Sequence, residues 1–408
     1  MNQGEAKVME DILKEKGHSI VENQKDSDAL VLVTCTVIET TELKMKKRLS
    51  QFSKTGKPVV VAGCMASVQK EEIIKENLNA LIVPPEDFRN IDSIISNLAS
   101  GELEIQRREL IPPSALSKTA DAIIPISSGC LGSCTYCITR VARGELRSCP
   151  SEFVVDSARK ILKEGYKEIR LSAQDTAVYG ADINTDLPTL LLKVQEIEGD
   201  FRVRVGMMNP DNLMSILQDV IEAYKDPRIY KFLHVPVQSG SVEILKKMGR
   251  KYSIDEFFLV VKEFRENFPY ITISTDVIVG FPGESDEDFN QTVKLVKKLR
   301  PNILNITRFS ARPKTKAAKM EDKVPSRIAK DRSRELARIH LEISRDINNK
   351  LVGREEGILI TEYGKNKTLM GRTNSYKPVV VKDDVKLCEF VDVKITEARD
   401  TYLMGKVL

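Results

Sequence analysis

The sequence predicts an α/β protein in three parts: a small parallel α/β domain, a partial barrel of six β/α units, and a small antiparallel β-barrel at the carboxyl end. Three observations carry this expectation. Short, wholly apolar runs alternate with helical patterns along most of the chain, as buried parallel strands do. Six of those runs, from about residue 120 to 320, each lead directly into polar or glycine-bearing residues. The closing segment 351–408 then switches to period-two alternation, with Val391, Val393 and Ile395 on one face of "FVDVKITEA".

The totals agree with several domains. A chain of 408 residues is too long for one ordinary core. Its 41% hydrophobic and 30% charged residues describe a water-soluble composition. No apolar run reaches the ~18 residues of a membrane span, and the start is charged rather than signal-like. A cytoplasmic setting is expected, so the seven cysteines are not read as disulfides. The net charge of +4 permits a polyanionic partner without requiring one. Charge is uneven: residues 302–350 hold thirteen Lys/Arg against six Asp/Glu, which suits a solvated helix face and an RNA-facing surface equally well.

The first domain is expected over residues 1–100. It opens with a helix carrying Ala6, Met9, Ile12 and Leu13 at helical spacing and stopping at Gly17. Strands follow at "ALVLVTC", "PVVVAGC" and "ALIVP", and Gly101, Pro112 and Pro113 mark a linker. The second domain, over 118–348, takes its strands from "AIIPISSG", "KEIRLSAQD", "FRVRVGMMNP", "KFLHVPVQSG", "ITISTDVIVGFPGE" and "NILNITRFSAR". Six units leave the barrel open on one side, with its site at the carboxyl ends of the strands. A basic helix, "SRIAKDRSRELARIHLEISRDINNK", leads to the third domain over 350–408.

Chemistry concentrates in "SSGCLGSCTYCITR". Cys130, Cys134 and Cys137 form a CxxxCxxC loop after the first barrel strand. Three thiolates on one loop suit three irons of a cubane cluster and leave the fourth open to a ligand. Structural zinc wants a fourth ligand, and no second close cysteine pair exists. Cys35 and Cys64 each end a strand and read equally as buried core thiols. Cys149 and Cys388 read as ordinary thiols.

The Cx₃Cx₂C loop, with Tyr136 before its last cysteine, resembles the radical S-adenosylmethionine superfamily. "VTCTV", "VAGCMA", "RGELRS", "LSAQDTAVYG", "HVPVQSGS" and "TDVIVGFPGE" together resemble the methylthiotransferase family over essentially the whole chain. "NQGE" and "QDTAVYG" are most similar to its archaeal and eukaryotic branch, which acts on N6-threonylcarbamoyladenosine beside the tRNA anticodon. The terminal barrel resembles the TRAM RNA-binding module through "LMGRTNSYKPVVV" and "YLMGKV".

The resemblance implies a 4Fe–4S cluster on Cys130, Cys134 and Cys137 that cleaves S-adenosylmethionine to methionine and a deoxyadenosyl radical. The radical removes hydrogen from carbon 2 of the adenine. A second 4Fe–4S cluster, held by three cysteines of which Cys35 and Cys64 match two, delivers a methylated sulfur. In the family "NQGE" follows a cysteine that ends a first strand, so Met1 is expected to be internal to a longer chain and the domain as it stands here to lack that strand and ligand.

Strand-end residues expected to hold S-adenosylmethionine are Ser172, Gln174, Asp175, Asn209, His234, Gln238 and Ser239. Val279, Gly280 and Phe281 are expected to seat an adenine ring, and Arg308 and Arg312 to meet carboxylate or phosphate. His234 suits a satisfied core histidine as well as a catalytic one. Tyr363, Tyr376 and Tyr402 suit base stacking and barrel core about equally. Expected partners are tRNA and a low-potential electron donor, for a monomeric enzyme without a membrane. Two rivals are a methylthiotransferase for a ribosomal-protein aspartate and an RNA-binding iron–sulfur protein with impaired turnover, since the third N-terminal ligand is missing from the sequence.

Overall fold

The computed structural model describes residues 2–96 and 119–408; the expected linker at Gly101, Pro112 and Pro113 lies outside them. The chain divides into two compact units: residues 1–114, 127–147 and 310–319 form one, and residues 115–126, 148–309 and 320–408 the other.

The first unit begins with α1 (Asn2–Glu15), β1 (Leu30–Thr34), α2 (Glu39–Ser53), β2 (Val59–Gly63), α3 (Cys64–Val68), α4 (Lys70–Glu76), β3 (Leu81–Val83) and α5 (Ile91–Ser96). Its three strands pair in parallel in the order β1-β2-β3. All five residues of β2 are buried, because helices cover both faces of the sheet and leave it no polar side. From α1, Val8, Met9, Ile12 and Leu13 pack with Val60, Ala62 and Val83. From α2, Leu49 and Phe52 pack with Val59 and Val61 on the opposite face. After β4 (Asp121–Pro125), which belongs to the second unit, the chain returns to the first through the cysteine loop. That loop runs from β5 (Ser127–Ser128) through α6 (Ile138–Arg143) to β6 (Arg147–Ser148).

The second unit continues with α7 (Ser151–Lys163), β7 (Glu168–Ser172), α8 (Leu187–Gln195), β8 (Arg202–Val205), α9 (Pro210–Leu213), α10 (Leu217–Ala223) and β9 (Phe232–His234). Then come α11 (Val242–Met248), α12 (Ile254–Asn267), β10 (Thr272–Val279), α13 (Asp286–Leu299), β11 (Ile303–Arg308) and α14 (Ser326–Asn349). The six strands are those expected from the sequence. They pair in parallel as β4-β7-β8 and β9-β10-β11. A bridge between Val203 and Ile229, and the amide of Met208 donating to the carbonyl of His234 (2.9 Å), connect the two halves. Ser253 with Glu256, and Ser285 with Asp288, form capping boxes that start α12 and α13.

Along α14, Ala329, Leu336, Ile339 and Ile343 are buried, while Arg327, Lys330, Arg334, Arg338 and Arg345 lie exposed. The helix then enters a five-stranded closed barrel made of β12 (Glu355–Tyr363), β13 (Leu369–Thr373), β14 (Pro378–Val381), β15 (Phe390–Ala398) and β16 (Leu403–Val407). The expectation of an antiparallel barrel needs one correction: β14 and β16 pair in parallel, and that pairing closes the ring. Register shifts at Ile360/Glu362 and Ile395/Glu397 supply the local bending that closure requires. Val393 and Ile395 sit in its core with Ile358, Ile360 and Val379, and Val391 packs against them, as the alternation implied. Among the described residues no helix is long and apolar enough to cross a membrane.

Candidate functional site

The cysteine loop is short and constrained. Cys137 occupies the N-cap position of α6, and its amide bonds to the carbonyl of Cys134 (3.2 Å). The Gly132 amide donates to Cys130 Sγ at 3.2 Å. A Cβ on Gly132 would lie 3.3 Å from Cys130 Sγ and 3.9 Å from Cys134 Sγ, so the glycine leaves a cradle beside two thiols. The guanidinium of Arg140 donates to the Cys130 carbonyl and ties the loop to α6. All three thiols are partly exposed. Among the described residues no three metal-binding side chains are already gathered into a closed site. Three accessible thiols on a loop with room at its centre fit an iron–sulfur cluster with one open iron.

The second pair is set by strand register. Thr34 pairs with Gly63, so Cys35 and Cys64, the next residues, leave adjacent strand ends together. At Gly63 φ is +94°, and a Cβ there would stand 2.5 Å from the Thr34 carbonyl oxygen; only glycine lets the ends approach this closely. Thr34 Oγ1 closes the junction by donating to the Ala62 carbonyl (2.7 Å). Cys64 is 2% exposed and packs with Val68, Ile138 and Ala142, which joins α3 to α6. Burial pushes its thiol up in pKa; the Arg143 guanidinium hydrogen-bonds it and pulls the other way, while Cys35 and Glu5 push it up again. Cys35 and Cys64 therefore fit as two neighbouring thiolate donors to a cluster.

Arg143 ends α6 and is itself enclosed. Its two terminal nitrogens meet Glu5 Oε1 at 2.5 Å and Oε2 at 2.8 Å, with side chains 1% and 5% exposed. It also donates to Asn2 Oδ1 (2.8 Å) and Ser128 Oγ (3.4 Å). Asn2 in turn donates to the Thr34 carbonyl (2.9 Å), one residue before Cys35. On the same unit Arg312 meets Glu42 at 2.5 Å, both side chains 8% exposed, and Thr36 bonds Glu42 (3.0 Å) and Gln69 (2.6 Å). Burial raises the Glu42 carboxyl, but bonds from Gln69 and Lys46 and the Arg312 charge bring it below the ordinary range. Arg312 thus meets a carboxylate, and that carboxylate is the protein's own.

In the second unit, Ser172 ends β7 and Gln174 follows it, with Ser172 Oγ and Gln174 Oε1 buried and without hydrogen-bond partners. Such orphaned atoms fit a ligand carrying ammonium or hydroxyl groups. Asp175 and Asn209 bond to each other. Asp175 is fully buried and accepts from the Asn209 amide (3.0 Å), Asn209 Nδ2 (2.7 Å), Asn212 Nδ2 (2.7 Å) and the Ala177 amide (3.1 Å). The pair fastens the loops after β7 and β8. Ser239 is also fully buried; its Oγ accepts from the Ser241 amide (3.2 Å) at the start of α11.

Val279 and Phe281 are 0% exposed, with Phe281 edge-on to Phe309 at 5.1 Å. Gly280 donates to Glu284 Oε2 (2.6 Å), which Arg332 of α14 holds at 2.7 Å. Gln238 takes a left-handed φ of +67° and continues strand pairing: its amide donates to the Asp276 carbonyl (2.8 Å) and its carbonyl accepts from Ile278 (2.9 Å). Arg308 ends β11 exposed. His234 Nε2 lies 3.1 Å from both Asp276 oxygens, and Asn305 donates to Asp276 Oδ1 at 2.7 Å. With His234 18% and Asp276 28% exposed, this trio retains access to solvent. Sequence reasoning assigned no role to Asp276, Asn305, Glu284, Glu5 or Arg143. A charged residue inside an apolar strand was the available signal for Asp276.

The starts of the strands carry a different cluster. Tyr376, from the turn after β13, donates to Glu168 Oε1 (3.2 Å), and Tyr230 donates to Oε2 (3.2 Å). Arg204 stacks over Phe232 (4.6 Å) and Tyr376 (5.0 Å). Tyr376 is 7% exposed and belongs to this junction, whereas Tyr363 is 68% and Tyr402 36% exposed.

Comparison with known proteins adds three sequence matches. Residues 1–84 match Uncharacterized protein family UPF0004, residues 124–296 the Radical SAM superfamily and residues 349–408 the TRAM domain. A Pyrococcus abyssi protein named "Probable threonylcarbamoyladenosine tRNA methylthiotransferase" is 42% identical, covering 100% of this chain and 97% of the relative. The human threonylcarbamoyladenosine tRNA methylthiotransferase is 34% identical, covering 99% of this chain and 72% of the relative. Among solved structures, the radical S-adenosylmethionine methyltransferase TsrM from Kitasatospora setae shares the fold at a TM-score of 0.58 and 12% identity, covering 77% of this chain and 73% of that one.

Proposed function

From the premise that the chain belongs to the threonylcarbamoyladenosine tRNA methylthiotransferase family, we propose that it attaches a methylthio group to carbon 2 of N6-threonylcarbamoyladenosine in tRNA. The observation that carries this reading is full-length correspondence to those relatives together with the Cys130, Cys134 and Cys137 loop and its cradle. The chain is a radical S-adenosylmethionine transferase, and S-adenosylmethionine and a 4Fe–4S cluster are its cofactors.

Cys130, Cys134 and Cys137 would hold the cluster, which when bound supplies the electron that splits S-adenosylmethionine into methionine and a deoxyadenosyl radical. Ser172 and Gln174 carry the unpaired buried atoms that we assign to the amino and ribose groups of that ligand. His234, set by Asp276 and Asn305, presents its remaining ring nitrogen as a polar contact in the barrel. Asp175 with Asn209, and Glu284 with Arg332, hold the strand-end loops in place and so position rather than contact. Cys35 and Cys64 would hold a second cluster, the source of methylated sulfur. For the tRNA, the exposed basic face of α14 suits phosphate, and Tyr363 and Tyr402 suit bases.

The test is mass spectrometry of tRNA nucleosides from a strain lacking the gene. Loss of the 2-methylthio form, with N6-threonylcarbamoyladenosine retained, is the expected result; an unchanged nucleoside profile refutes the reading.

A further inference from the structure

Arg143 meets both the N-terminal thiol of Cys64 and Ser128 at the start of the cysteine loop, and the radical chemistry gives it no task. It ends α6, the six-residue helix whose N-cap is Cys137. At its own end it is gripped by Glu5, Asn2 and Ser128. A buried ion pair of this kind adds little to stability by itself, because desolvation offsets most of the attraction. Its geometry is what stands out. Two bonds to Glu5 fix the plane of the guanidinium, and Asn2 links it to the strand end that carries Cys35. Cys64 lies against the same group, packed between α3 and α6.

The guanidinium thus stands at the end of the helix whose Ile138 and Ala142 pack on Cys64, with the Glu5 carboxylate bound to both of its terminal nitrogens.

We propose that Arg143 is a positioning and charge-setting residue for the N-terminal iron–sulfur site, which raises that site's reduction potential and is itself aligned by Glu5. The proposal rests on the reading that Cys35 and Cys64 hold a cluster. Its physical basis is that reduction adds negative charge, which a fixed cation and N–H donors to sulfur both favour. Glu5, the carboxylate bound to that cation, carries the opposite charge and acts with the opposite sign. The "NQGE" and "RGELRS" segments thereby gain a shared purpose, since Asn2, Glu5 and Arg143 are one assembly.

The experiment removes the loop cysteines together (Cys130→Ala, Cys134→Ala, Cys137→Ala), so that only the N-terminal site takes up iron on anaerobic reconstitution. Iron content is measured first, then the midpoint potential by EPR-monitored redox titration. On this background Arg143→Gln is expected to lower the potential, Glu5→Gln to raise it and Arg143→Lys to shift it less than Arg143→Gln. Opposite shifts exclude general damage, which would move both variants the same way. If the loop-less protein binds iron but Arg143→Gln and Glu5→Gln leave the potential unchanged, or shift it alike, the proposal fails while the second-cluster reading stands. If the loop-less protein binds no iron, that reading fails and the proposal with it. Should Arg143→Gln not fold, the Glu5→Gln and Arg143→Lys pair still decides by the sign and size of their shifts.

Discussion

His234 and Asp276, forty-two positions apart on neighbouring parallel strands, meet with the imidazole Nε2 equidistant at 3.1 Å from both carboxylate oxygens. Burial alone would raise the Asp276 carboxyl, yet bonds from His234 and Asn305 bring it below the ordinary range. A depressed native pKa contributes stability above the unfolded value of about 3.9 and loses it as pH falls through the native value. Asp276→Asn should therefore lower stability at pH 7 by about 1.5–3 kcal/mol, the worth of charge-assisted bonds. Urea denaturation at pH 7 and in acid would check this: the gap between wild type and variant closes in acid, and a gap independent of pH contradicts the account.

Lys377 gives a slope of the same sign in the alkaline range. It is 7% exposed, bonds Asn348 Oδ1 at 2.8 Å, and burial lowers its pKa to about 8. Between pH 8 and 10 the unfolded chain binds the extra proton, so stability rises with pH across that window. Lys231, also lowered to about 8 by burial, adds a contribution of the same sign. Lys377→Met should flatten the rise in part, by on the order of 1–3 kcal/mol. Equal slopes for wild type and variant would count against a buried, depressed ammonium.

Gly63→Ala tests the convergence of β1 and β2. The residue combines φ +94° with a Cβ position 2.5 Å from the Thr34 carbonyl, so the strand ends must separate. The conformation alone costs about 1–3 kcal/mol. The expected result is a lower unfolding midpoint for the first unit and reduced iron uptake at the N-terminal site; normal values for both would mean that the ends tolerate a wider spacing.

Tyr376 separates packing from polarity. Tyr376→Ala removes a buried ring from its contacts with Tyr230 and Phe232 (4.8 and 5.1 Å) and should cost about 3–5 kcal/mol by thermal or chemical denaturation. Tyr376→Phe loses only the bond to the Glu168 carboxylate and should cost about 1.5–3 kcal/mol, less than the alanine variant. Similar losses for the two variants would contradict a mainly packed role.

The parts legible in the sequence were those written locally. Apolar strands show themselves by composition, so all six barrel strands and the three N-terminal ones could be read directly. The cysteine loop shows itself by spacing over eight residues. Side-chain pairings across long separations left no such mark. Glu5 and Arg143 are 138 positions apart, and each alone reads as an ordinary surface charge on a helix. Asp175 and Asn209 were both noticed as polar strand-end residues, but nothing in the sequence says that they satisfy each other. For Val279 and Phe281, apolar character was legible, whereas their complete burial depends on distant packing that no local pattern states.

The seat of Tyr376 among Arg204, Tyr230 and Phe232 bears on how such a protein can be rebuilt or can diverge. A terminal module with its own closed core invites exchange as a cassette. Here a single turn of that module completes a buried assembly whose other members belong to the starts of the catalytic strands. A transplanted module from a distant relative would leave the Glu168 carboxylate and the Arg204 face short of partners unless it brought an equivalent tyrosine. Grafts that exchange residues 349–408 together with positions 168, 204, 230 and 232 should accordingly outperform grafts of the module alone.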